Sequence, residues 1–304
     1  AILYQDKKGE IKGQNSDRLR CREKYLQHLE EAKSGDSTKK IHGKRCQVGE
    51  LVRDALKCHD SVKDTINMQW ESNKSNNQGL EGKSICCMCD VSGSMECDEG
   101  LPINNAIGLS IRISELVDEN SGFKNRILTF DAKPTWIQLN DSQTFVEKAR
   151  IVRRSAWGMN TNFHLAIDKI INILVENNID PSVVKQIIFA IFSDMQFDSP
   201  HHNLNIFETA EESIRRKFHD AGMRTTHARP YEMPHILFWN LRKTSGFPAT
   251  SYSKNITFLS GFSSTLLNVF CTKGIEALRE STPMTMLRDL LNTDRYNIVE
   301  EFAR

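Results

Sequence analysis

Apolar residues recur along this chain with two different periods, and the change from one to the other divides it. From 16 to about 33, Leu19, Tyr25, Leu26 and Leu29 fall near one helical face, opened by Ser16 and Asp17 and closed by Ser34 and Gly35. A second helix starts at Val48 with Leu51, Val52, Ala55 and Leu56 on its apolar face, and Val62, Ile66, Met68 and Trp70 extend or follow it. Residues 1–15 are polar and without period, as expected of an extended arm, and 36–46 form a Lys- and Ser-rich loop. The polar run 71–82 (ESNKSNNQGLEG) predicts a linker. It separates an arm and helical segment, 1–82, from a second unit, 83–304. Two or three helices cannot bury their faces alone, so they need cover from the next unit, from a partner or from further helices.

Past the linker the pattern becomes strand and helix in alternation. Ile85 to Cys89 is a nearly continuous apolar run bounded by polar residues, which suits a strand covered on both faces. A helix is expected over 105–119, strands over 125–130 and 135–139 as a hairpin around Asp131-Ala132-Lys133-Pro134, and a short helix over 142–153. A long helix follows through Leu165, Ile167, Ile170, Ile171, Leu174 and Val175, then a buried strand over 186–193. The stretch 206–221 is an amphipathic helix stopped by Gly222. Strands at 235–241 and 256–260 and helices at 263–271 and 284–302 complete the chain. Strands separated by helices imply an α/β architecture: a doubly wound, mostly parallel, Rossmann-like sheet behind a short N-terminal helical segment.

Composition changes this picture little. The 304 residues carry a net charge of +1, but residues 1–83 hold 17 Lys and Arg against 13 Asp and Glu, leaving 23 against 26 for the rest. A mildly basic front end is a weak hint of a polyanion such as RNA, but a solvated helical surface is the simpler account and is favoured. No apolar run approaches the ~20 residues of a membrane helix, and the first residues are too polar for a signal peptide, so an intracellular, cytoplasmic protein without membrane contact is expected. Of the eight cysteines, Cys86, Cys87 and Cys89 lie inside the apolar strand, where Cys86 and Cys89 must point to opposite faces. Reduced core thiols are therefore expected, not a zinc or redox pair.

The candidate chemistry lies just beyond the strands. Asp90, Ser92 and Ser94 follow the first buried strand, Thr161 opens the long helix, and Asp194 follows the strand at 186–193. Open α/β sheets place ligands at these carboxyl ends. Two carboxylates and three hydroxyls form an all-oxygen donor set, which suits a hard cation, Mg²⁺, Mn²⁺ or Ca²⁺, and not zinc. Gly93 is expected to relax the backbone so that both serines reach one point.

This pattern resembles the metal-ion-dependent adhesion site (MIDAS) of von Willebrand factor A (vWA) domains, an Asp-x-Ser-x-Ser followed by a Thr and an Asp. All five positions are matched, by Asp90, Ser92, Ser94, Thr161 and Asp194. The resemblance implies that the hydroxyls touch the metal, that the aspartates act mostly through water, and that a carboxylate from a protein partner takes the last position. Met95, the Thr161-Asn162 pair, 238–242 (FWNLR) and 259–263 (LSGFS) further resemble an uncharacterised family that joins a helical region to a C-terminal vWA-like domain. That family is similar to the Ro-type (TROVE) RNA-binding proteins over about residues 45–304, although only two or three helices of any such helical region are present here.

Other groups are weighed beside this set. His201 and His202, with Gly93 and Asn162, could form the rim that selects a ligand. Arg215, Arg216, Lys217, Arg224 and Arg229 could meet RNA phosphates, but Glu211 with Arg215 and Glu212 with Arg216 are also spaced as helical ion pairs. Phosphate-loop, nucleophile-elbow and zinc-protease motifs are absent, and Ser92 has no evident His to activate it. The expectation is thus a non-enzymatic, cation-dependent binding or assembly protein. A ribonucleoprotein component is the alternative, and a Mg²⁺-dependent phosphate-transfer enzyme the outsider.

Overall fold

The computed structural model describes residues 10–34, 39–43, 46–74, 80, 82–130, 133–155, 163–195, 206–242, 255–262 and 283–292, together with helical residues 266–267, 269–271 and 274. Three helices come first: α1 (Ser16–Lys33), α2 (Val48–Lys57) and α3 (Lys63–Lys74). Then follow β1 (Ser84–Asp90), α4 (Cys97–Leu116), β2 (Arg126–Phe130), β3 (Thr135–Gln138), α5 (Phe145–Arg154), α6 (Phe163–Glu176) and the single turn α7 (Pro181–Val184). The chain continues through β4 (Ile187–Ser193), α8 (Ile206–Met223), β5 (His235–Asn240), β6 (Ile256–Ser260) and α9 (Pro283–Leu291).

Among the described residues the strands form one sheet in the order β3-β2-β1-β4-β5-β6. Every pairing is parallel except the β2–β3 hairpin, in which Ile127 lies opposite Ile137. The order reverses direction at β1, where one crossover leads out to β2 and the other returns to β4. This is the expected vWA/Rossmann-like class, and its ligand crevice falls at the carboxyl ends of β1 and β4.

Alternation along each strand feeds two apolar layers. Cys87, Cys89, Phe192 and Trp239 face α2, α4 and α5, while Cys86, Met88, Phe189 and Phe238 face α6 and α8. Burial pushes the Cys86 thiol far up and the Cys89 thiol up to about 12, and both are free, so these strand cysteines pack as small apolar groups.

The helical segment is covered by the sheet unit. Helix α2 crosses α4 so closely that a Cβ on Gly108 would lie 3.0 Å from the Val48 carbonyl oxygen, and one on Gly49 would lie 2.6 Å from the Asn105 amide. Trp70 of α3 is fully buried and stacks on Phe145 with ring centroids 3.8 Å apart. Burying an indole of this size contributes about 3 kcal/mol. Beside it runs a buried polar network. Trp70 Nε1 donates to Glu115 Oε2 at 3.1 Å, Lys148 Nζ donates to Glu115 Oε1 at 2.8 Å, and Arg112 lies 3.6 Å over the Trp70 ring. Arg112 Nη2 also donates to the Trp70 carbonyl at 2.8 Å. Among the described residues no helix is long and apolar enough to cross a membrane.

Candidate metal centre

Strand β1 ends in Asp90, the chain stays extended through Ser92, and Gly93–Glu96 closes a 3-10 turn. Strand β4 lies beside β1 with Cys89 level with Phe192, which brings its last residue, Ser193, next to Asp90. Ser193 Oγ donates to Asp90 Oδ2 at 2.5 Å, and the Ser92 backbone N–H donates to Asp90 Oδ1 at 2.9 Å. The carboxylate is therefore gripped at both oxygens, and its own turn is fixed by the second of these bonds. Ser92 and Ser94 stand with their hydroxyl oxygens 3.0 Å apart. Asp194 follows immediately after β4.

Asp90 and Asp194 are both 0% exposed, and Ser92 is 2% exposed. Burial pushes the Asp90 carboxyl up to about 6, with the Asp194 charge adding to the rise and the bonds from Ser193 and Ser92 opposing it. Arg242, two residues beyond β5, places Nη1 3.4 Å from Asp194 Oδ2. Non-glycine residues with left-handed backbone flank the site: Asp98 and Glu99 at φ 51° and 58°, and Met195 at φ 62°. Such conformations cost energy and gather where loops are shaped for a ligand.

The residues present fit a hard cation. The donors are carboxylate and hydroxyl oxygens, and the 3.0 Å between the serine oxygens equals the edge of an octahedron with bonds of ~2.1 Å, the length Mg²⁺ demands. Among the described residues, no three His, Cys, Asp or Glu side chains gather as a metal cluster, at this edge or elsewhere, so the donor set here leans on hydroxyls.

The structure thus brings Asp90, Ser92, Ser94 and Asp194 together at one sheet edge. Thr161, Asn162, His201 and His202 lie outside the described residues. The hydroxyls of Ser92 and Ser94 do come together across Gly93, whose backbone is not left-handed, and among the described residues a Cβ there would meet nothing within 4 Å. The basic cluster does not converge on the site. Lys217 Nζ is held by Asp168 at 2.6 Å and Arg229 by Asp180 at 3.0 Å. Arg215 and Arg216 line a separate 450 Å³ cavity with Tyr231 and Asn255, at the amino ends of β5 and β6, and Arg224 is exposed. Two participants escape local sequence reading, Ser193 and Arg242. Their only signal is a polar residue at, or just past, the end of a buried strand.

The fold and this edge define an α/β domain of vWA/Rossmann-like architecture with a cluster of oxygen-bearing side chains at its switch point. The chain belongs to the family described as Domain of unknown function (DUF7788), which matches residues 84–297. No curated protein matches the sequence. Among solved structures, the Ro (RSR) protein of Deinococcus radiodurans is similar at a TM-score of 0.42 and 12% identity. That similarity covers 88% of this chain, which spans 58% of that protein's length.

Proposed function

We propose that the protein binds another macromolecule through a divalent cation, Mg²⁺ or Mn²⁺, held at the carboxyl edge of the sheet. What supports this is one arrangement: two carboxylates, Asp90 and Asp194, fully buried at the ends of adjacent parallel strands beside paired serine hydroxyls. Two acids buried at one sheet edge are costly unless a positive charge joins them. Ser92 and Ser94 would hold the ion directly, with Thr161 as the third hydroxyl and Asp90 and Asp194 balancing its charge. A bound ion supplies a strong positive charge for an acidic group of the partner, an Asp or Glu side chain in a protein. Ser193 keeps Asp90 oriented, and among the described residues nothing crowds Gly93, which leaves room for approach.

Calorimetric titration of Mg²⁺ and Mn²⁺ into the wild type, Asp90→Ala and Thr161→Ala tests the reading. Binding in the wild type that is lost in both variants is expected, and equal binding in all three overturns it. A pull-down with and without EDTA then identifies the partner class. Capture of protein abolished by EDTA fits the reading, whereas salt-sensitive capture of RNA unaffected by EDTA would replace it with a ribonucleoprotein role.

A further inference from the structure

Among the described residues, a side chain that the motif does not contain, Arg242, contributes to the charge balance at this edge. Strand β5 is pinned beyond its last residue: the Leu241 N–H donates to the Ser193 carbonyl at 2.9 Å, and the Arg242 N–H donates to Asn240 Oδ1 at 2.9 Å. The backbone of Arg242 is therefore fixed against the end of β4, beside Asp194. From there its guanidinium reaches Asp194 Oδ2 through a single contact of 3.4 Å, with the arginine side chain 31% exposed. The charge also acts on the turn that opens α4. Burial raises the Cys97 thiol, Arg242 lowers it, and Asp98 and Asp194 raise it further.

A single, long, partly exposed ion pair is weak and easily released. Yet it neutralises the same carboxylate that a cation would use, and a guanidinium close to a divalent ion repels it. A guanidinium is also the side chain best shaped to grip a carboxylate. We propose that Arg242 is a resident countercharge that competes with the divalent ion for Asp194 and, once displaced, grips the acidic group of the incoming ligand. The inference rests on the cation reading above. Arg242 is then coupled negatively to the metal and positively to the ligand, a reciprocal linkage a purely structural arginine does not show.

The test uses the full chain as wild type, Arg242→Gln and Arg242→Lys. MgCl₂ is titrated calorimetrically, and then a short oligoglutamate peptide is titrated at saturating Mg²⁺. Arg242→Gln is expected to bind Mg²⁺ roughly 3- to 10-fold tighter and the peptide about 3-fold or more weaker, with Arg242→Lys close to the wild type for the metal. Metal binding by Arg242→Gln alone overturns the cation reading for the wild type and, with it, the proposal. Unchanged or weaker Mg²⁺ binding in Arg242→Gln overturns it while leaving the cation reading standing. Absence of Mg²⁺ binding in every form overturns both. Unchanged peptide affinity removes the ligand-gripping half. A measurement independent of variant folding is the Arg242 Nε–Hε NMR resonance of the wild type. It is expected to move on Mg²⁺ addition and return with EDTA, and an unmoved resonance at metal saturation overturns the proposal.

Discussion

Two groups of buried charge lie on this sheet unit, and they are built on opposite plans. Under α3, Glu115 is met by Lys148 at 2.8 Å, by Arg112 at 3.6 Å and by the Trp70 indole at 3.1 Å. Both of its oxygens are occupied, and cations surround it. At the carboxyl edge, two acids are buried with Arg242 as a loose countercharge. Burial lowers the Arg112 guanidinium only to about 10, so it stays charged at neutral pH, whereas the Asp90 carboxyl rises to about 6, near the point of giving up its charge. A closed set of charges serves as a joint between elements. An acid-rich set near titration is one that the proposed cation would stabilise.

The sharpest way to break the contrast is to open the closed set. Glu115→Ala leaves Lys148 and Arg112 buried without their carboxylate and is expected to cost about 3–5 kcal/mol in urea unfolding. Its Mg²⁺ affinity, measured where it is folded, should be unchanged.

The open set should respond to pH in the reverse sense from a paired carboxylate. A carboxyl held at about 6 in the fold, against 3.8 ordinarily, favours the folded state most below pH ~4, and this contribution is lost as pH rises through ~6. In EDTA, the wild type should lose up to roughly 3 kcal/mol over that window relative to Asp90→Asn, which lacks the group. Chemical denaturation of both proteins from pH 4 to pH 7 checks this, and an Asp90→Asn difference that does not vary with pH removes the contrast. Saturating Mg²⁺ should restore the wild type alone, by ~2.7 kcal/mol at a hundredfold excess over Kd.

Smaller effects sharpen the comparison. Gly108→Ala raises helix propensity but pushes a methyl against the Val48 carbonyl at 3.0 Å, so a net loss of about 1–2 kcal/mol is expected in thermal or urea unfolding. Arg216→Gln, on an exposed face far from both charge groups, should change stability by less than about 0.5 kcal/mol and leave Mg²⁺ binding as it is.

Local pattern made most of the architecture legible. The run from Ile85 to Cys89 needs cover on both faces and becomes the sheet's centre, and the apolar stripe of Val48, Leu51, Val52 and Ala55 is the face that meets α4. Asp90, Ser92, Ser94 and Asp194 were legible for a topological reason: parallel strands present their carboxyl ends on one side, so residues a hundred positions apart share an edge. The Trp70–Glu115 joint was not legible, because it spans 45 residues and each partner looks locally like an ordinary helix residue. The acidic pair Asp98-Glu99 suits a helix start, and nothing local announces that both residues adopt left-handed backbone before Gly100. Arg242 went unread because its acidic partner arrives from β4 and not from its own strand.

The close seat of α2 and α3 bears on how this family should be handled at the bench. The family match begins at residue 84, after both helices. A fragment cut there would carry a greasy trough along α4 and α5, with Arg112, Glu115 and Lys148 at its floor and no Trp70 to roof it. Such a surface invites aggregation on expression. Including residues from 46 onward should separate soluble preparations from inclusion bodies, whatever the partner proves to be.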